Sequence, residues 1–216
     1  MEAQVRRIID ETPDDVVKND LEEYRKLALN LGATDARIIT ADQVIVDERV
    51  VLKCSNPRCP SYGTNANCPP YAPSPDLVRK AVEKYHHAIF IYMKVPSVSF
   101  AGPEVLKFNK GKEYHLRVNK IVSTIEAKAF YDGYYLAMGY GTGPCLSYFC
   151  GNGRCAALDP GGICRFPLKS RPSMEASGMD VFKMSTRMGW EVYPCGAGIE
   201  PSRVPNGSDH GLVLIE

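Results

Sequence analysis

Cysteine placement constrains this chain more than any other feature. Four cysteines, Cys145, Cys150, Cys155 and Cys164, fall within twenty residues of the stretch GPCLSYFCGNGRCAALDPGGICRFP, residues 143–167. Its core spacing, C-x4-C-x8-C, occurs ninety-six residues earlier as Cys54, Cys59 and Cys68 in CSNPRCPSYGTNANCPP. Asn56 matches Asn152 and Arg58 matches Arg154 at the same offset, so five positions agree across fifteen. Two related thiolate-rich loops, 54–71 and 143–167, thus gather seven of the eight cysteines; Cys195 stands apart. The first of these loops is dense in Pro, Asn and Gly, which argues against regular structure within it. The fold must therefore hang them from a scaffold built elsewhere.

Whether those cysteines are disulfides or ligands depends on the compartment. The first residues, MEAQVRRIIDETPDD, are charged and lack an apolar core, so no secretory signal is expected. No apolar run approaches the about eighteen residues of a membrane span. A net charge of +1 gives no electrostatic case for nucleic acid or a membrane surface. The expected compartment is the cytoplasm, where clustered cysteines argue for metal rather than for disulfides. A length of 216 residues and 44% hydrophobic content suit a single domain, 1–216, with a sizeable core.

The scaffold reads as alternating helices and strands. Residues 14–31 predict an amphipathic helix, with Val17, Leu21, Tyr24, Ala28 and Leu31 on one face, Thr12 and Pro13 at its start and Gly32 as its stop. A strand is expected over 36–40, and two short strands or one bent one over 44–52. A helix over 75–85 carries Leu77, Val78, Ala81, Val82 and Tyr85 on one face. The run HAIFIYMKV, 87–95, suits a strand covered on both faces. A long helix is expected over 117–138, with Leu136 on its stripe, and another over 174–188 after Pro172 and Ser173. Residues 194–210 read as irregular, and GLVLIE closes the chain as a short buried strand. The class is α/β or α+β, a single mixed β-sheet flanked by helices, with the cysteine loops at its ends.

A [4Fe–4S] cluster needs about four thiolates converging on one small cage, which loops supply better than one helix face. The second loop has four cysteines and five glycines, enough for a complete site. The first has three. Its fourth ligand is Cys195, or Cys145 in a crossed arrangement, or its fourth iron is open and able to bind substrate. Zinc is the alternative, since eight thiolates make two four-cysteine sites; structural zinc, however, favours short C-x2–4-C pairs and each core has only one C-x4-C. Arg58 and Arg154 are candidates to sit beside an anionic metal group, or else to make loop salt bridges. Tyr62, Tyr71, Tyr148 and Phe149 are candidates to wall the sites from water. His86 and His87 open a strand and read as structural, and Lys107, Lys110, Lys112 and Lys120 read as a solvated basic face able to dock an acidic redox partner. There is no C-x3-C-x2-C triad and no G-x4-GK[ST] loop, and GYGTG, 139–143, lacks the preceding strand of a dinucleotide fingerprint.

At these residues the chain resembles an uncharacterised family of cysteine-rich prokaryotic proteins, a domain of unknown function described as predicted metal-binding. The similarity rests on Cys54, Cys59, Tyr62-Gly63 and Cys68-Pro69-Pro70, then on Gly143-Pro144-Cys145 and the cysteines after it, Arg171-Pro172-Ser173, Glu175-Ala176, Gly178, Asp180-Val181 and the closing strand. The resemblance implies metal binding of the iron–sulfur kind and a cytoplasmic setting in anaerobic bacteria and archaea. Two features depart from the family pattern: Ala66-Asn67 stands where an aromatic usually precedes Cys-Pro-Pro, and Cys195 is not part of it.

The expected function is that of a protein with two [4Fe–4S] clusters that passes electrons to, or reductively activates, a larger redox enzyme, or takes electrons from a donor protein. Two alternatives stand beside it. One is an iron–sulfur oxidoreductase or sulfur-transfer enzyme with an open cluster at Cys54, Cys59 and Cys68. The other is a zinc-stapled interaction module. A homodimer is left open.

Overall fold

Four strands form one sheet: β1 (Asp35–Thr40), β2 (His87–Val95), β3 (Met138–Tyr140) and β4 (Gly207–Leu214), in the order β1-β2-β4-β3. Each of the three pairings is antiparallel. Of the two classes expected, α+β is the one found, and the sheet is antiparallel rather than mixed. The apolar run of β2 needs no parallel neighbours to explain it; helices and loops cover both its faces. The computed structural model describes residues 5–105, 110–151 and 153–216, so Lys107 and Asn152 of the sequence reading lie outside the described residues.

Side chains alternate across β2 and build two cores. On one face Ile89, Ile91 and Met93, with Val213 of β4, pack against α1 (Asp14–Asn30) and the long helix Lys112–Tyr131. On the other, Phe90 and Tyr92, with Leu212 and Leu214, pack against helix Pro75–Val82, the Met174–Met184 segment and Trp190. The long helix approaches the sheet closely because glycines face it. A Cβ on Gly211 would stand 2.5 Å from Val122 Cγ2, and one on Gly139 2.6 Å from Val122 Cγ1. Among the described residues no helix is long and apolar enough to cross a membrane.

In chain order the helices are α1, α2 (Glu48–Ser55), α3 (Pro75–Val82), α4 (Lys112–Tyr131), α5 (Cys145–Phe149) and α6 (Val181–Arg187). Several boundaries differ from the sequence reading. The Val-rich run expected as strand contains α2. The Asp47 carboxylate accepts from Arg49 N–H and caps the helix, and Leu52 is left exposed. Only Val46 keeps a strand-like bridge, to Met179. Helix α3 stops at Val82, and Leu77 faces solvent. Helix α4 starts five residues earlier and stops seven earlier than the predicted 117–138; the chain turns at Gly133, φ +105°, so Leu136 is exposed and Gly139 and Tyr140 belong to β3. The helix expected over 174–188 is broken at Gly178, φ +85°, into a 3-10 turn, Glu175–Ser177, and α6. β4 begins at Gly207, inside the stretch read as irregular.

Candidate metal centre

The second cysteine loop hangs from the end of β3. Gly141 N–H donates to Pro172 O at 2.9 Å, tying the strand end to the segment that follows the loop. Gly143, φ +63°, then turns the chain under Tyr148; a Cβ there would lie 2.4 Å from the Tyr148 ring. Cys145 opens α5 and Cys150 ends it, Cys155 precedes a 3-10 turn, and Cys164 follows two glycines. Gly162 has no room for a side chain, since a Cβ would stand 1.9 Å from Ala156 O. The result is one cavity of about 250 Å³ lined by all four cysteines, with Phe149, Phe166 and Asn67 completing its wall. The Phe166 N–H donates to Cys164 Sγ at 3.3 Å. All eight cysteines are free thiols.

The first loop starts on the last turn of α2. That helix is anchored by Asp47 N–H to Gly178 O at 2.8 Å and packs on the Glu175–Ser177 turn. Cys59 N–H donates to Cys54 O at 2.9 Å, Tyr62 N–H to Cys59 O at 2.9 Å and Gly63 N–H to Pro69 O at 2.8 Å, so the loop folds back on itself. Asn65 is fully buried beneath it. There the two loops meet: the Cys145 thiol donates to Asn65 Oδ1 at 3.4 Å, and Asn67 Nδ2 donates to Cys145 Sγ at 3.5 Å and to Ser170 Oγ at 2.6 Å. Asn67, the departure from the family pattern, thus holds a cysteine of the other loop.

The thiols feel one another across this junction. Burial pushes Cys68 up to about 11; an Asn65 hydrogen bond opposes that, and Cys145, Cys59 and Cys54 add to it. Burial also raises Cys145, with Ser170 and Asn67 hydrogen bonds opposing and Cys155 and Cys150 adding. Cys145 therefore lies within electrostatic reach of both cysteine groups. Among the described residues, no three His, Cys, Asp or Glu side chains stand close enough to hold a single metal ion.

The other predicted residues fall as follows. Cys195 lines a second cavity, beside Phe100, His115 and Tyr148, and its thiol points to Tyr193 O at 3.4 Å and Asn206 O at 3.9 Å. Arg154 pairs with Asp159 at 2.6 Å while remaining largely exposed. The Arg58 guanidinium lies 5.2 Å from the Tyr62 ring centre. Phe149 walls the cysteine cavity, whereas Tyr71 is exposed.

A polar group on the α4 side had no counterpart in the sequence reading. Asp209 of β4 is buried; it takes a hydrogen bond from Thr142 Oγ1 and one from His210 N–H at 3.1 Å, and its Oδ2 lies 2.8 Å from His115 Nδ1. Asn119 Nδ2 donates to His115 O at 2.8 Å and to Thr142 O at 2.9 Å, locking these parts together. Glu175, which water reaches, is ringed by enough protein that burial raises its carboxyl; Asp209 adds to the rise, while a Ser173 hydrogen bond and His115 oppose it. Glu175 in turn raises Cys54, after burial and Cys59. Half-buried Tyr148 is raised by desolvation first, then by Asp209 and Cys68. Glu175 therefore lies within electrostatic reach of Cys54, and Glu175 and Tyr148 connect Asp209 electrostatically to the first cysteine group. The only sequence signal was polar residues, His115, Asn119 and Glu126, at helical spacing on the otherwise apolar face of that helix.

Comparison with curated proteins and with solved structures gave no match. The family described as predicted metal-binding protein (DUF2284) matches residues 37–204, from β1 past Cys195, and takes in both cysteine loops. With most of its length covered, including the thiol-lined cavity and the junction at Cys145, the chain belongs to that family of predicted metal-binding proteins.

Proposed function

We propose that the chain is an iron–sulfur protein with two [4Fe–4S] sites that passes electrons to, or reductively activates, a partner redox enzyme in the cytoplasm. The observation that carries this reading is the cavity of about 250 Å³ lined by four free thiols. Its donor set fits the group: soft thiolate ligands around a volume rather than a point, and a backbone N–H already directed at Cys164 sulfur. Cys145, Cys150, Cys155 and Cys164 would hold one cluster, and Cys54, Cys59 and Cys68 the other. The clusters would supply one-electron transfer.

One set of observations favours a second reading, an enzyme working at the first site. Cys195 is held at backbone carbonyls, and Glu175, within electrostatic reach of Cys54, is itself coupled to His115 and Asp209. An iron left open at three cysteines would have acid–base groups beside it.

The test is iron, zinc and acid-labile sulfide per chain, on protein purified without oxygen. About eight iron and eight sulfide are expected. About two zinc and no sulfide after iron-replete expression would replace the reading with a zinc staple.

A further inference from the structure

The cavity beside Cys195 is separate from the cysteine-lined one. Its volume is about 350 Å³, within the range of small-molecule sites, about 300–1,000 Å³. Phe100, Tyr148, Phe182 and Tyr193 supply flat apolar walls, and His115 is the titratable nitrogen among the described lining residues. The imidazole is stacked on both faces, with its centre 5.0 Å from that of Phe100 and 4.8 Å from that of Tyr148. Nothing polar is needed on those faces. At its edge, Nδ1 lies 2.8 Å from the Asp209 carboxylate and 3.3 Å from Thr142 Oγ1. The Thr142 hydroxyl gives its proton to Asp209 and so accepts from His115; Nδ1 therefore carries the imidazole proton and Nε2 is left as the base.

Setting a half-buried imidazole against the buried Asp209 carboxylate is not what the core requires. Apolar groups of the same size generally stabilise a fold as well as or better than a buried ion pair. Here Asp209 Oδ1 accepts from Thr142 and His210 N–H, while Oδ2, 2.8 Å from His115 Nδ1, has no hydrogen-bond partner among the described residues and is placed to stabilise the imidazolium that forms when Nε2 gains a proton. The same carboxylate disfavours a ligand that arrives as an anion. Those two effects select a neutral molecule with a proton to give.

We propose that the cavity walled by Phe100, His115, Tyr148 and Cys195 binds a small flat organic molecule with a weakly acidic O–H or N–H, and that His115, oriented by Asp209, takes its proton. The site stands on side chains alone and does not depend on which metal the cysteines hold.

The probe is 3-nitrophenol, a flat phenol that absorbs at long wavelength only when ionised and is a weaker acid than an imidazolium. It is added to the full chain at a pH between the two ordinary ranges, where the free probe is mostly protonated and an imidazole mostly neutral. Difference spectra are expected to show the nitrophenolate band growing and saturating with protein, and bound probe should slow iodoacetamide alkylation of Cys195 read by mass spectrometry. His115→Gln should weaken the band about tenfold, the loss of one charge-assisted hydrogen bond. Circular dichroism reports whether that variant folds; if it does not, Asp209→Asn, which keeps the carboxyl shape, is read in its place with the same expected loss. No band with the native chain, a band unchanged in the folded variant, or Cys195 alkylated equally fast with and without probe would each overturn the proposal.

Discussion

Tyr62 N–H closes a turn onto Cys59 O, and Leu158 N–H closes the same turn onto Cys155 O, ninety-six residues further on. Past that shared turn the two cysteine regions part. In the first, the third cysteine, Cys68, is buried beside fully buried Asn65, and α2 clamps the loop to the Glu175–Ser177 turn. In the second, Cys164 is partly open, and its neighbours Ile163 and Leu168 are 82% and 81% exposed. Sequence spacing sets the turn; what the turn is packed against sets the environment of the sulfur. In the two-cluster reading the exposed rim at Ile163, Cys164 and Leu168 suits contact with a redox partner, while Cys68, like Cys145 and Cys155, is held inside.

Cys145 is where the contrast can be broken most sharply. Cys145→Ser keeps the size but changes the donor. Because Cys145 lines the second cavity and is gripped by Asn65 and Asn67 of the first loop, iron should fall from about eight to four or fewer per chain. An undiminished iron and sulfide count would mean that the regions are independent of this residue. Cys164→Ser should remove about four iron and leave the spectrum of the other cluster as it was, with Cys68→Ser as the mirror case. If either substitution empties both sites, the regions load as one unit and the contrast between them is only local.

Reactivity sharpens the comparison further. With Cys68 pushed up to about 11, the metal-free chain should hold about a hundredfold less thiolate there at neutral pH than an ordinary thiol would. In alkylation read by mass spectrometry, Cys68 should trail Cys164; the reverse order would contradict the buried-versus-rim assignment. Because the folded chain keeps Cys68 neutral where an unfolded thiol ionises, this contribution to stability is present below about pH 8.5 and lost as pH rises toward 11. Urea titrations of the metal-free chain across that window check it. The smallest effect belongs to Arg154→Ala. Its pair with Asp159 is exposed, so stability should change by less than about 0.5 kcal/mol and iron content not at all. A large loss of iron would restore Arg154 as a cation beside the cluster.

How much of this was legible depended on how local the deciding contact is. β2 showed in its own run of apolar residues, and α1 in its stripe and in Gly32, φ +101°. α2 did not, because Val44 to Leu52 has the composition of a strand and one carboxylate, Asp47, decides for helix. The end of α4 was misjudged because Leu136 continues the apolar period after the chain has turned at Gly133. The four thiols of the second loop were readable from spacing, but the hold of Asn65 and Asn67 on Cys145 joins residues about eighty apart. His115 and Asp209 are further apart still, and no periodicity links a helix residue to a strand residue on the opposite side of the chain.

The strand order has a consequence for timing. β3, from which the second cysteine loop hangs, pairs with β4 alone among the described strands, and β4 follows both cysteine loops in the chain. A chain emerging from the ribosome therefore completes both cysteine loops long before the edge that carries one of them has a neighbour to pair with. Asp209 and His210 arrive with that same late strand. Metal delivered during synthesis would meet loose thiols, whereas metal delivered after residue 214 has emerged would meet a formed cavity.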